Sequence, residues 1–163
     1  MSDYRGFSYW LDSTCDDLTP RPPLDTSVDV DVAILGAGFT GLWTAYYLLR
    51  RQPSLRVAVV EREIAGFGAS GRNGGWCTSN FTLGASELLR RFGRDQAHAT
   101  QTAMFDTVDE VGRVTREEGI DANFRKGGEI YLARGPQHLA ALQSSHKAFE
   151  EIGLSGYSVL LDA

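Results

Sequence analysis

What this chain lacks narrows its nature first. Only two cysteines occur among 163 residues, Cys15 and Cys77, so no disulfide framework is expected and the default compartment is cytoplasmic. Basic residues are outnumbered, 16 Lys and Arg against 21 Asp and Glu for a net charge of −5, and they form no long tract. Nucleic acid is therefore not an expected partner. No apolar run approaches the roughly 20 residues that span a bilayer, and the N-terminus carries acids but no apolar signal core, so no membrane partner is expected. The three histidines, His98, His138 and His146, are scattered and offer no metal-ligand spacing. No GxSxG nucleophile motif, internal repeat or low-complexity tract is present. What remains is 42% hydrophobic and 23% charged, the balance of a soluble globular domain with a sizeable core.

Against that plain background the stretch Val28 to Gly75 stands out. It opens with Val-Asp-Val-Asp-Val-Ala-Ile-Leu, a β-branched run expected to be a strand buried on both faces. Gly36-Ala37-Gly38-Phe39-Thr40-Gly41 follows, then an apolar-rich segment to Arg51 and a second strand-like run, Arg56 to Val60, ending in Glu61. In a GxGxxG turn the three glycines have separate duties. Gly36 allows the tight turn, Gly38 lets the backbone approach a pyrophosphate, and Gly41 lets the helix lie close to the strand. The free N–H groups and positive dipole end of that helix suit phosphate. Leu42, Ala45, Tyr46 and Leu49 recur at helical spacing, and Pro53 stops the helix after Arg51. Glu61 lies at the carboxyl end of the second strand, where a carboxylate can accept both ribose hydroxyls and repels a 2′-phosphate. These residues imply an ADP-containing cofactor, FAD or NAD.

A second glycine-rich loop follows at once: Gly66-Phe67-Gly68-Ala69-Ser70-Gly71-Arg72-Asn73-Gly74-Gly75-Trp76. Such a backbone can wrap closely around a ligand, and Arg72 can neutralise phosphate charge. A nicotinamide enzyme needs no such loop directly after its acidic residue.

On the residues Ser8-Tyr9-Trp10, Val32 to Gly41, Val60-Glu61 and above all Gly68-Ala69-Ser70-Gly71-Arg72-Asn73-Gly74-Gly75, the chain resembles the FAD-dependent oxidoreductases of the D-amino-acid oxidase, glycine oxidase and sarcosine oxidase group. Its likeness is greatest to the γ-glutamylputrescine oxidase-like branch, and it continues more weakly through Lys126 to Ala133. The resemblance implies FAD as cofactor. Gly36, Gly38, Phe39, Thr40, Gly41, Glu61 and Arg62 would hold the ADP half. Ala69, Ser70, Arg72, Asn73, Gly74 and Gly75 would run past the pyrophosphate and ribityl chain towards the flavin ring. It also implies an α/β fold, a Rossmann-like FAD-binding βαβ with a central sheet, plus helices and the start of a substrate-domain sheet. The implied substrate is a small-molecule amine or amino acid, oxidised at its C–N bond by hydride transfer to the flavin, with oxygen as acceptor. A NAD-dependent dehydrogenase and a truncated, non-catalytic nucleotide-binding chain are the alternatives. Family members are more than twice this long, so the chain is expected to be an N-terminal fragment, inactive alone. No catalytic acid or base is assigned, and oligomeric state is left open.

The expected organisation is a leader at 1–27, the FAD-binding βαβ with its Gly-rich loop at 28–84, a helical segment at 85–125, and the beginning of a substrate-binding domain at 126–163. The leader's Tyr4, Phe7, Tyr9 and Trp10 are expected to pack on the body, and Pro20, Pro22 and Pro23 to favour an extended path. Ser86 is a candidate cap for a short helix over Glu87 to Arg91. A longer helix is expected from about Arg94 to Glu118, with Met104, Val108 and Val111 as its apolar stripe and Gly119 as its stop. Asp109, Glu110, Arg113 and Arg116 form its solvated face. Glu129 to Arg134 reads as a strand, Gly135-Pro136 as the start of a helix bearing Leu139, Leu142, Phe149 and Ile152, and Tyr157 to Leu161 as a short strand. Trp76 is expected to pack in the core, and Cys77 to be a small buried residue rather than a flavin attachment point.

Overall fold

A computed structural model describes residues 3–161; residues 1–2 and 162–163 lie outside the described residues. The chain clusters into two compact units, one up to Trp76 and one from Cys77 onward.

In the first unit, strand β1 (Val32–Leu35) pairs in parallel with strand β2 (Val57–Val60), Val32 opposite Val57 and Leu35 opposite Val60. The crossover between them is helix α2 (Phe39–Arg51), and a parallel pair needs such a crossover. Asp31 pins the start of the ladder: its carboxylate accepts from the Arg56 backbone N–H at 2.8 Å and pairs with the Arg56 guanidinium at 3.1 Å. Helix α2 ends at Arg51, two residues before Pro53, as its sequence predicts. The strands are not buried on both faces. Helix α2 packs against both strands, yet Ala33 stays exposed and Leu35 is 86% exposed. The sequence reads as a doubly covered strand; the described residues cover one side.

The leader is folded rather than extended at its start. Tyr4–Phe7 forms a 3₁₀ turn and Tyr9–Ser13 a short helix, α1, capped by Ser8, whose Oγ accepts from the Leu11 N–H. Tyr4 and Leu11 are buried with Ile64, and Leu18 and Phe67 pack against them.

The second unit is helical. Helix α3 (Ala85–Glu117) carries the two expected helices in one element, kinked at Gly93, whose φ of 79° and ψ of 173° are non-helical. Its N-cap is Gly84 rather than Ser86; the Gly84 carbonyl accepts from the Glu87 and Leu88 N–H groups. Gly119, at φ 64°, stops it as expected. Helix α4 (Pro136–Glu151) places Pro136 in its first turn, and Gly153 follows with φ 80°. Ala85, Leu88, Ala97, Ala148, Ile152 and Leu154 bury one another between α3 and α4, joined by Phe105 and Phe149. Met104, Val108 and Val111 of the expected α3 stripe are half-buried while Ala97 and Val114 are buried, and Leu139 of α4 is exposed. The expected charged face of α3 is solvated: Arg113 pairs with Glu110 and Glu117, and Asp109 with Lys126.

Two expected strands do not form. Glu129 to Arg134 makes no ladder, and Ile130 and Leu132 are each 80% exposed. Side chains hold this segment instead. The Glu129 carboxylate accepts from the Thr78 and Tyr131 hydroxyls and, at 3.2 Å, from Asn80 Nδ2. A strand exists only with a neighbour to satisfy its backbone, and no described segment supplies one here. Tyr157 to Leu161 likewise begins in a 3₁₀ turn, Ser155–Tyr157, whose ring stacks on Phe105 at 4.0 Å. No helix among the described residues is long and apolar enough to cross a membrane, and these residues contain no cluster of potential metal ligands.

Candidate functional site

The site is built where β1 hands the chain to α2. Gly36 takes φ 103°, a conformation in which a side chain is strained, and so permits the turn out of the strand. Its N–H donates to the Val60 carbonyl at 2.7 Å, extending the ladder one residue into the turn. Gly41 has a different reason to be glycine. A Cβ there would overlap the Gly36 carbonyl oxygen and come within 3.2 Å of Ile34 Cγ2, so the helix lies on the strand only because that atom is missing. Helix hydrogen bonding begins with the Leu42 N–H to the Gly38 carbonyl at 3.0 Å. The N–H groups of Phe39, Thr40 and Gly41, in the first turn, thus have no intrahelical acceptor.

The second glycine-rich loop meets this turn directly. The Phe39 N–H donates to Ser70 Oγ at 2.8 Å, and the Gly66 N–H to the Ala37 carbonyl at 2.9 Å. A Cβ on Gly38 would lie 3.0 Å from Ser70 Oγ, so Gly38 keeps the space between turn and loop open. Among the described residues no acceptor takes the N–H groups of Thr40 and Gly41, and the Ser70 hydroxyl lies at the same helix end. Backbone donors at a helix N-terminus beside a hydroxyl have the chemistry that a diphosphate fits.

Glu61 closes the other side. Its Oε2 accepts from the Ala37 N–H at 2.9 Å; its Oε1 accepts from the Arg62 N–H at 2.8 Å and the Glu63 N–H at 3.2 Å. The carboxyl pKa therefore lies below its ordinary value, first through the Ala37 bond and then through Glu63 and Arg62. A carboxylate has about four lone-pair sites, so about one remains. The sequence expectation of two ribose hydroxyls on Glu61 thus requires one of the three backbone donors to let go. Arg62 contributes its backbone N–H here; its side chain is 86% exposed beside Glu63.

The remaining loop residues face inward to the loop itself. Asn73 Nδ2 donates to the Ser70 carbonyl at 2.7 Å and the Ala69 carbonyl at 3.3 Å, while its Oδ1 accepts from the Gly75 N–H at 2.7 Å. Arg72 Nε donates to the Phe67 carbonyl at 2.8 Å, and its guanidinium stacks on Phe67 at 4.2 Å and Phe7 at 5.0 Å. The structure thus uses Arg72 to pack the loop onto the leader, where sequence reasoning assigns it phosphate charge. Gly74 is exposed with open space where a Cβ would be, so chain packing does not require a glycine there. Gly75, at φ 71°, is required: a Cβ would overlap the Trp10 indole. Two neighbours depart from expectation. Trp76 is 70% exposed rather than in the core, and Cys77 is exposed rather than buried, with partial desolvation raising its thiol pKa.

Sequence reasoning missed how much of the leader reaches this loop. The Ser8 hydroxyl donates to the Gly71 carbonyl at 2.6 Å and Trp10 Nε1 to the Asn73 carbonyl at 2.7 Å; just before the loop, the Tyr4 hydroxyl donates to Glu63 at 2.9 Å. No sequence signal marks these pairings, since the acceptors of Ser8 and Trp10 are backbone carbonyls 63 residues away.

With this geometry in place, comparison with known proteins is informative. The family described as FAD dependent oxidoreductase (DAO) matches residues 31–163. The gamma-glutamylputrescine oxidoreductase of Escherichia coli (strain K12) is 31% identical over 134 residues, covering 82% of this chain and 31% of that protein. The probable oxidoreductase OrdL of Haemophilus influenzae is 35% identical over 120 residues, covering 74% of this chain and 27% of that protein. The probable oxidoreductase OrdL of Rhizobium meliloti is 32% identical over 158 residues, covering 93% of this chain and 34% of that protein. The chain thus spans about a third of the length of these curated relatives. No solved structure matches.

Proposed function

The chain belongs to the FAD dependent oxidoreductase family, and on that premise we propose that it supplies the ADP-binding part of a flavoenzyme that oxidises the C–N bond of an amine or amino acid. The observation that carries the reading is the Phe39 N–H bond to Ser70 Oγ. It brings the two glycine-rich turns to a single mouth, so that one extended diphosphate cofactor can touch both. A nicotinamide cofactor would need the first turn alone.

Thr40 and Gly41 offer backbone donors to the diphosphate, and the Ser70 hydroxyl offers a further polar contact. Glu61 binds a ribose hydroxyl with its remaining acceptor site and disfavours a 2′-phosphate through its charge. The loop from Ala69 to Gly75 guides the cofactor away from the turn. When bound, the flavin supplies the capacity to accept a hydride equivalent from the carbon beside an amine, with oxygen as the terminal acceptor. The amine class follows from the name of the Escherichia coli relative.

The test is made on the intact protein. Purified material is expected to be yellow with a flavin absorption band, and to consume oxygen and release peroxide with an amine or amino acid from a screened panel. Colourless protein that forms NADH would overturn the reading in favour of a nicotinamide dehydrogenase. Yellow protein that reduces a dye but not oxygen would retain the flavin and reject the acceptor.

A further inference from the structure

Beyond its apolar packing, the leader makes side-chain hydrogen bonds to the second glycine-rich loop. Helix α1 has five residues and buries Leu11 against Tyr4 and Ile64, yet leaves Tyr9 72% exposed and Trp10 42% exposed, so burial anchors Leu11 and does not by itself place Trp10. The helix end is closely hydrogen-bonded. The Arg5 guanidinium donates to the carbonyls of Leu11, Asp12, Thr14 and Asp16 at 2.7–3.3 Å, gathering the carbonyls at and just beyond the helix end around one cation.

From this element the polar donors point at one target. Ser8 Oγ accepts from Leu11 N–H at 3.1 Å while its own proton goes to the Gly71 carbonyl, and the Trp10 indole N–H goes to the Asn73 carbonyl. The Trp10 ring covers Gly75, and Phe7 stacks on Arg72. Loop residues 71, 72, 73 and 75 are thereby each fixed from the leader side, while Ser70, between them and the turn, holds the Phe39 N–H.

We propose that Ser8 and Trp10 are positioning residues that hold the Ala69–Gly75 loop in its cofactor-ready conformation and so keep the Ser70 hydroxyl at the N-terminus of α2. The physical need is clear. Glycine-rich backbone loses the most freedom on ordering, and a loop left free would charge that loss against cofactor affinity. A brace built during folding moves the loss out of the binding step. The proposal rests on the flavin reading only for the identity of what the loop grips.

The experiment compares the intact wild-type protein with Ser8→Ala/Trp10→Phe and with Ser8→Thr, which keeps a hydroxyl in an extended backbone position. Amide hydrogen exchange is read on cofactor-free protein, and FAD release is read by recovery of flavin fluorescence on loaded protein. In the double variant, exchange across residues 69–75 and the FAD release rate are each expected to rise about tenfold, in line with the loss of hydrogen bonds of ordinary strength. Exchange in α3 and α4 stays at the wild-type level, and Ser8→Thr behaves as wild type. Unchanged loop exchange, unchanged FAD release despite faster exchange, a Ser8→Thr variant that departs from wild type in both, or a uniform rise along the chain would each overturn the proposal. If wild-type protein takes up no FAD while loop exchange still responds to the variants, the flavin reading falls and the brace stands.

Discussion

Among the described residues, those up to Trp76 bury only Tyr4, Leu11, Ala37 and Ile64, while those from Cys77 onward bury Leu88, Ala97, Val114, Ala148, Ile152 and several more. The first unit is organised by backbone donors and acceptors, arranged around glycines that allow atoms to approach where a Cβ would forbid it. The second is organised by apolar side chains packed between two helices. The contrast teaches where binding chemistry and stability reside. A ligand seat needs backbone N–H groups left exposed and a loop that can approach closely, and both requirements work against a dense apolar core. A helical pair has no such obligation and is free to bury its interface.

Perturbing each unit separately sharpens this contrast. Leu88→Ala, at a position 2% exposed, is expected to cost about 2–5 kcal/mol in the helical unit, measured by denaturant unfolding. Amide exchange across Gly36 to Gly75 should not change; if it rises together with that of α3, the two units melt as one and the contrast fails. Gly41→Ala strikes the other unit. The new methyl overlaps the Gly36 carbonyl, at a cost of about 1–3 kcal/mol, and FAD uptake by the intact protein is expected to be lost while α4 keeps its protection. Retained FAD uptake would show that the helix can move off the strand without spoiling the seat.

The smallest effects are electrostatic. Glu61→Gln replaces a carboxylate oxygen facing a backbone N–H by an amide, and the half-exposed setting limits the expected cost to about 1 kcal/mol. Because the folded pKa of Glu61 is depressed, its contribution is fully present above the ordinary carboxyl value of 4.5 and is lost as pH falls through the lower folded value. Glu87 gives the counterpart in the second unit. The hydrogen bonds from Arg90 and Arg91 hold its carboxyl at about 2, so its contribution is also present above pH 4.5 and disappears as pH falls towards 2. Carboxyl-carbon NMR titration reads both. Glu87 should be the one released by Arg90→Ala/Arg91→Ala, and Glu61 the one that is not.

Local chemistry was legible from the residues. Helix α2 ends where Pro53 requires, α3 ends before Gly119, and α4 begins at Pro136, because each boundary depends on the φ or the missing N–H of one residue. The parallel β1–α2–β2 unit and the duties of Gly36 and Gly41 follow from spacing in the same way. The strand read at Glu129 to Arg134 fails for the opposite reason. Its pattern states that one face is apolar, but pairing depends on a partner elsewhere, and Thr78, Asn80 and Tyr131 gather around Glu129 instead.

The amino-acid order by itself determined a strand–turn–helix–strand with an acid in register, since those features depend on neighbours within a few turns of chain. Only the tertiary structure decided what fills and frames the mouth of that turn. Ser70 reaches Phe39 across 31 residues, and Trp10 reaches Asn73 across 63. Each of these bonds joins a side chain to a backbone group, and every residue carries such a group. No residue type marks the acceptor in advance, so its choice waits until folding brings the two segments together.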